Sequence, residues 1–128
     1  MIPDLFLDLL RAAAHTIVPD VEVDPLIPCA NPLHGDYQWN FAFRMAKPLK
    51  ANPRALAERL LPLLEHPAIV EKSVAGPGFI NLKLSDAWLY EQAARQAHDP
   101  AFGTSPTGAG KTVVIDFSSP NVAKRMHI

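Results

Sequence analysis

The sequence has 128 residues, enough for one compact domain and a short extension but not for two full domains. Hydrophobic residues make up 48% and charged residues 20%, an ordinary globular composition, while thirteen prolines break the chain into short elements. A net charge of −1 argues against a generic nucleic-acid binder, and the single cysteine, Cys29, excludes an internal disulfide and a four-cysteine zinc site.

Ile2, Leu5, Phe6, Leu9, Leu10 and Ala13 follow helical spacing and predict an amphipathic helix that ends before Pro19. Asp4, Asp8 and Arg11 interrupt its apolar run, so it does not read as a signal peptide. No run approaches the ~18 apolar residues of a membrane span, and a cytoplasmic location is expected. Residues 19–36 are rich in Pro, Asp and Asn, with Val21 and Val23 alternating against acids, which predicts an extended segment or edge strand and then a loop. A second helix is expected from Gln38 to Ala46, where Pro48 disfavours helical geometry at Lys47. A third starts at Asn52, a capping amide followed by Pro53, and buries Leu56, Leu60, Leu63 and Leu64 until Pro62 kinks or ends it.

Two strands, Ile69–Val74 and Phe79–Leu84, flank Gly76-Pro77-Gly78, whose glycines permit a tight turn. A final helix spans Asp86 to His98, capped by Ser85 and anchored by Trp88 and Leu89. Asp99–Gly110 has the composition of a linker. Beyond it, Val113-Val114-Ile115 is an unalternated β-branched run, the pattern of a strand covered on both faces. The composition shift divides the chain into a domain of residues 1–108 and a second segment of residues 109–128.

Charge is distributed unevenly. Residues 1–36 carry one Arg and six acids, whereas residues 37–61 carry Arg44, Lys47, Lys50, Arg54 and Arg59 against Glu58 alone. That asymmetry puts either a positive patch or a solvated helical face on a nearly neutral protein. On the strand Phe79–Leu84, alternation points Ile80, Leu82 and Leu84 to the core and Phe79, Asn81 and Lys83 to the outer face. A ring, an amide and an ammonium so placed can stack on an unpaired base, bond its edge and meet a phosphate. Alternatively, Phe79 packs under a helix and Asn81 closes the hairpin. In HGDYQWN, Asp36 is a candidate helix cap and Asn40 a buried amide bonding a loop. The five histidines lack ligand spacing, and no metal site is expected.

Ser105–Thr112, SPTGAGKT, imitates a Walker phosphate loop, which raises the alternative of an ATPase or helicase fragment. That loop requires a strand before it and a helix after it, whereas here a linker precedes and VVIDF follows. The last segment is richer in chemistry: Asp116, Ser119, Asn121, Lys124 and His127 lie at or just beyond the carboxyl end of the expected strand, where open α/β sheets bind ligands. A plain polar loop could have the same composition.

FSSPNVAKRMHI resembles the arginyl-tRNA synthetase form of the class I synthetase signature, with His127 and Ile128 beginning its His-x-Gly-His element. HGDYQWNFAFRMAK, NPRALAERL and VAGPGFINLKLS resemble, in order, blocks of the same family's N-terminal additional domain. Arg125 departs from the family pattern, and residues 1–33 match only in character.

The resemblance implies an α+β fold, a small antiparallel sheet of about four strands with flanking helices. The truncated first strand and loop of a Rossmann-type catalytic domain would follow. It implies recognition of tRNA(Arg) through the D-loop, with Phe79 stacking on a base and Asn81 bonding it; Lys83 as a phosphate contact is inferred from the residues. It further implies that Asp116, Ser119, Asn121 and His127 hold the arginine substrate, and that Lys124 and His127 meet ATP phosphates. The parent enzyme would be a monomer that ligates L-arginine to tRNA(Arg) with ATP and Mg. The 128 residues alone would bind no cofactor and lack activity, and a purely structural packing domain is the other alternative.

Overall fold

The computed structural model describes residues 2–102, 104 and 108–116. Its elements are α1 (Ile2–Leu5), α2 (Leu7–His15), β1 (Ile27–Pro28), a 3-10 turn (Pro32–His34), β2 (Tyr37–Trp39), α3 (Phe41–Ala46), α4 (Pro53–Leu60), a second 3-10 turn (Leu61–Leu63), β3 (Ile69–Ala75), β4 (Phe79–Leu84) and α5 (Asp86–His98). The four strands form one antiparallel sheet in the order β1-β2-β4-β3. The α+β architecture and its small sheet are therefore as expected.

Local chemistry accounts for most helix boundaries. Asn52 accepts from the N–H groups of Arg54 and Ala55 at 2.9 and 3.2 Å, and Pro53 occupies the first helical position of α4. Pro62 ends α4 in the 3-10 turn, leaving Leu56, Leu60 and Leu64 buried but Leu63 exposed. Ser85 Oγ accepts from the Trp88 N–H at 3.4 Å and starts α5.

Three expectations change. Gln38 and its neighbours form β2 instead of opening a helix, because Gln38 lies opposite Asn81 and Trp39 opposite Ile80 in a ladder with β4. Buried Trp39 gains core contact in that register and stacks on Phe41 at 5.0 Å. The edge strand falls at Ile27–Pro28 instead of at Val21 and Val23, which pack half-buried against the core. Finally, Lys47 stays helical (φ −67°, ψ −50°) despite Pro48. The turn after α3 closes with the Ala51 N–H on the Ala46 carbonyl and the Lys50 N–H on the Lys47 carbonyl, at 2.9 and 3.1 Å. That bonding pattern puts Lys50 at the left-handed position, φ 49°, where glycine is the usual occupant. A lysine there costs about 1 kcal/mol relative to glycine.

The core lies against one face of the sheet. Phe6 and Leu10 near the N-terminus, Trp39 on β2, Phe41 on α3, Leu56 and Leu60 on α4, and Ile80, Leu82 and Leu84 on β4 are almost completely buried. Each such side chain contributes about 1.5–3 kcal/mol on burial. Phe6, His66 and Trp88 add an aromatic cluster that ties the junction of α1 and α2 to α5. Gly78, at φ 122°, sits so close to α4 that a Cβ would lie 2.6 Å from the Pro53 carbonyl oxygen, so the hairpin turn seats on the start of α4.

Residues 111–116 form no strand, and Val113, Val114 and Ile115 are exposed. Among the described residues no strand lies beside them, and a run built to be covered on both faces has nothing to pair with. Among the described residues no helix is long and apolar enough to cross a membrane.

Candidate functional site

The second face of the sheet carries little covering structure. Three polar or small side chains form its middle row, Gln38 on β2, Asn81 on β4 and Ser73 on β3. Phe79 lies opposite Ala75 at one end and Lys83 opposite Glu71 at the other. The alternation expected for β4 thus holds, with Ile80, Leu82 and Leu84 on the core side.

Exposure differs from residue to residue. Lys83 is exposed and Phe79 half-buried, but Asn81 is only 4% exposed, so the three do not form a uniformly open row. The Asn81 Oδ1 accepts from the Cys29 thiol at 3.9 Å, across the end of β1. No described group accepts from its Nδ2, and no described buried side-chain nitrogen or oxygen lacks a partner, so Nδ2 retains access to solvent. Asn81 and Lys83 line a pocket of about 550 Å³ whose other walls include His34, Gly35 and Ser73. Asn81 therefore has one side-chain contact in the protein and a second polar atom available to a ligand that reaches this pocket.

Asp36 ties together the strands that carry this face. Its carboxylate accepts from the Leu84 N–H at 2.7 Å, its own N–H donates to the Leu82 carbonyl at 2.9 Å, and its carbonyl accepts from the Cys29 N–H at 3.0 Å. Asp36 is therefore a clamp between strands and not the expected helix cap. A Cβ on Gly35, at φ 133°, would lie 2.8 Å from the Leu82 carbonyl oxygen, which makes glycine necessary for this close approach. Asn40 precedes α3 without capping it and accepts from Gln38 Nε2 at 2.5 Å. Burial, with the Asp36 charge adding to it, pushes the Cys29 thiol pKa up from its ordinary value, so the thiol stays protonated beside Asn81.

Phe43, a residue to which the sequence reading assigned no role, completes the aromatic end of the face. Its ring lies 5.3 Å from that of Phe79 at 53°, and it is 50% exposed. The signal was available: Phe43 falls off the stripe of Phe41, Ala42 and Ala46 that α3 buries.

Asp116 is exposed, and Ser119, Asn121, Lys124 and His127 lie outside the described residues. Of the Walker-like segment, residues 105–107 also lie outside them, while the described residues after Thr112 form no helix that could present an N-terminus to phosphate. Among the described residues no three His, Cys, Asp or Glu side chains are grouped to hold a metal ion.

These features define an α+β domain with a helix-covered core and a second sheet face bearing a half-buried ring and a buried amide. The chain belongs to the family described as Arginyl tRNA synthetase N terminal domain, whose profile matches residues 4–84. It is 44% identical over 128 residues to an arginine–tRNA ligase of Pseudoalteromonas atlantica, covering 97% of this chain and 22% of the relative. It is also 44% identical over 107 residues to an arginine–tRNA ligase of a Synechococcus species, covering 82% and 18%. The chain spans about a fifth of the length of these curated relatives. Among solved structures, Thermus thermophilus arginyl-tRNA synthetase aligns with a TM-score of 0.56 and 27% identity over 73% of this chain and 16% of that one. The Plasmodium falciparum enzyme aligns at 0.59 and 23% identity over 70% and 17%, a likeness of fold.

Proposed function

We propose that this chain is the tRNA-recognition domain of an arginine–tRNA ligase and that it grips the D-loop of tRNA(Arg). The observation that carries this reading is the placement of Phe79 and Asn81 two residues apart on the same face of β4, the ring half-buried and the amide lining the adjoining pocket. An unpaired base satisfies both groups at once, its π face on Phe79 and its edge on Asn81. Stacking of this kind is worth about 1–3 kcal/mol per base. Lys83 meets a neighbouring phosphate, with its charge partly offset by Glu71 across the ladder. Membership in the family and the name carried by the relatives support the assignment.

In the same reading, the whole protein joins L-arginine to tRNA(Arg) with ATP and Mg, as a monomer in the cytoplasm. Asp116, Ser119, Asn121 and His127 contribute to holding arginine, and Lys124 and His127 to holding ATP phosphates. Residues 109–128 begin that second domain, and residues 1–128 alone carry no ligase activity.

The test is aminoacylation of tRNA(Arg) by the whole protein with Phe79→Ala or Asn81→Ala. Each is expected to lower kcat/KM by roughly 5- to 150-fold, the factor that about 1–3 kcal/mol represents. Unchanged kinetics in both variants, with melting temperatures near that of the parent, would reduce the domain to a packing module.

A further inference from the structure

Next to the aromatic pair, on the far side of Phe43, lies a second pocket of about 560 Å³. Ala46, Ala51 and Pro53 contribute apolar surface, and Phe43, Arg44, Lys47 and Lys50 line the rest. The hairpin turn abuts it, because Gly78 seats on Pro53 and Arg54 Nη1 donates to the Gly76 carbonyl at 3.5 Å. Phe43 therefore belongs both to this pocket and to the Phe79 face.

The two lysines differ from the other cations nearby. Arg44 pairs with Asp24 at 2.7 Å and Arg54 with Glu58 at 3.2 Å, whereas among the described residues neither Lys47 nor Lys50 has an acidic partner. The negative end of α3 accounts for a cation at Lys47. It does not account for Lys50, which holds a left-handed conformation that glycine would occupy without strain. Two unpaired ammonium groups beside a half-exposed ring can receive an anion attached to a flat or apolar group.

We propose that this pocket binds the sugar–phosphate of the nucleotide adjoining the base held at Phe79 and Asn81. In this arrangement Lys47 and Lys50 contact the phosphodiester and Phe43 packs on the sugar or base. The inference rests on the RNA-binding reading of the Phe79 face and extends that face into a continuous single-strand track. Charge complementarity selects the occupant: a polyanion that also presents rings fits Lys47, Lys50 and Phe43 together, and single-stranded RNA has both properties.

The experiment measures binding of a tRNA(Arg) transcript to the full chain by fluorescence anisotropy between about 50 and 200 mM salt, where each phosphate contact changes the affinity loss by about threefold. Lys47→Ala/Lys50→Ala is expected to shrink that loss about tenfold relative to the parent chain. Phe79→Ala is expected to weaken binding at every salt concentration without altering the slope. Lys50→Gly should raise the melting temperature while reducing the slope, a combination that a purely structural lysine would not give. If the double variant keeps the parent slope while Phe79→Ala weakens binding, the pocket assignment is overturned and the face assignment stands. If the slope falls while Phe79→Ala has no effect, the phosphate contact stands and the base contact is overturned. Competition by polyglutamate as effective as by RNA would overturn the pocket's selectivity for a nucleic acid.

Discussion

The carboxylate of Asp36 accepts a hydrogen bond from the backbone N–H of Leu84 at 2.7 Å, joining the entry of β2 to the end of β4 across 48 residues of sequence. The bond does for the sheet what another ladder residue would do, but with a charged acceptor, which strengthens it. Replacing Asp36 with Ala leaves the Leu84 N–H without that acceptor in a largely buried setting. The expected cost is about 1–3 kcal/mol, read as a lower urea midpoint with an unchanged slope. Asp36→Asn retains an acceptor and should lose less.

Gly78 gives a sharper steric test. With a φ of 122° and a Cβ position 2.6 Å from the Pro53 carbonyl oxygen, Gly78→Ala has neither the backbone freedom nor the space it needs. Destabilisation of more than about 1 kcal/mol is expected. Gly108→Ala, where a Cβ meets nothing within 4 Å, is the control and should leave the melting temperature near that of the parent.

The cap of α4 separates helix stability from binding. Asn52→Ala removes the acceptor for the Arg54 and Ala55 N–H groups and should cost about 1 kcal/mol, whereas Asn52→Asp should preserve most of the stability. Because α4 supports the turn that positions Phe79, thermal melts and RNA affinity should be measured on the same samples.

Cys29 supplies a pH prediction with a definite sign. Its thiol is raised above the ordinary value of 9.0, so the folded state holds the proton where the unfolded chain has lost it. The stability this contributes is complete below the unfolded value and disappears as pH rises through the folded one. Urea midpoints measured from pH 8 upward should fall more steeply for the parent chain than for Cys29→Ala. Alkylation of the native thiol at pH 8 should be slower than that of the unfolded chain.

The features legible in the sequence are those whose causes lie within a few residues. Asn52-Pro53 and Ser85 start helices through hydrogen bonds to N–H groups two or three positions later, and Gly76-Pro77-Gly78 turns the hairpin through its own backbone. The alternation along β4 likewise separates core from outer face before any partner strand is known. Blocks of residues also carried the family resemblance, which brought Phe79 and Asn81 forward as candidates for recognition.

Tertiary structure decided the rest. Tyr37-Gln38-Trp39 could enter the following helix on local grounds, but β4 offers it a ladder more than forty residues away, and burial of Trp39 favours that choice. Asn81 Oδ1 meets the Cys29 thiol because the end of β1 brings the two together, a contact across 52 residues. Phe43 reaches Phe79 only because α3 starts at the end of the sheet, and Lys50 acquires its left-handed turn from the closure of α3. Sequence alone therefore determined the capped helices, the β3–β4 hairpin, the core stripe and the family, since caps, turns and periodicity act over one or two turns of chain. Which side chains stand open beside one another depended on long-range pairing, because side-chain exposure is a property of the neighbours that folding brings together.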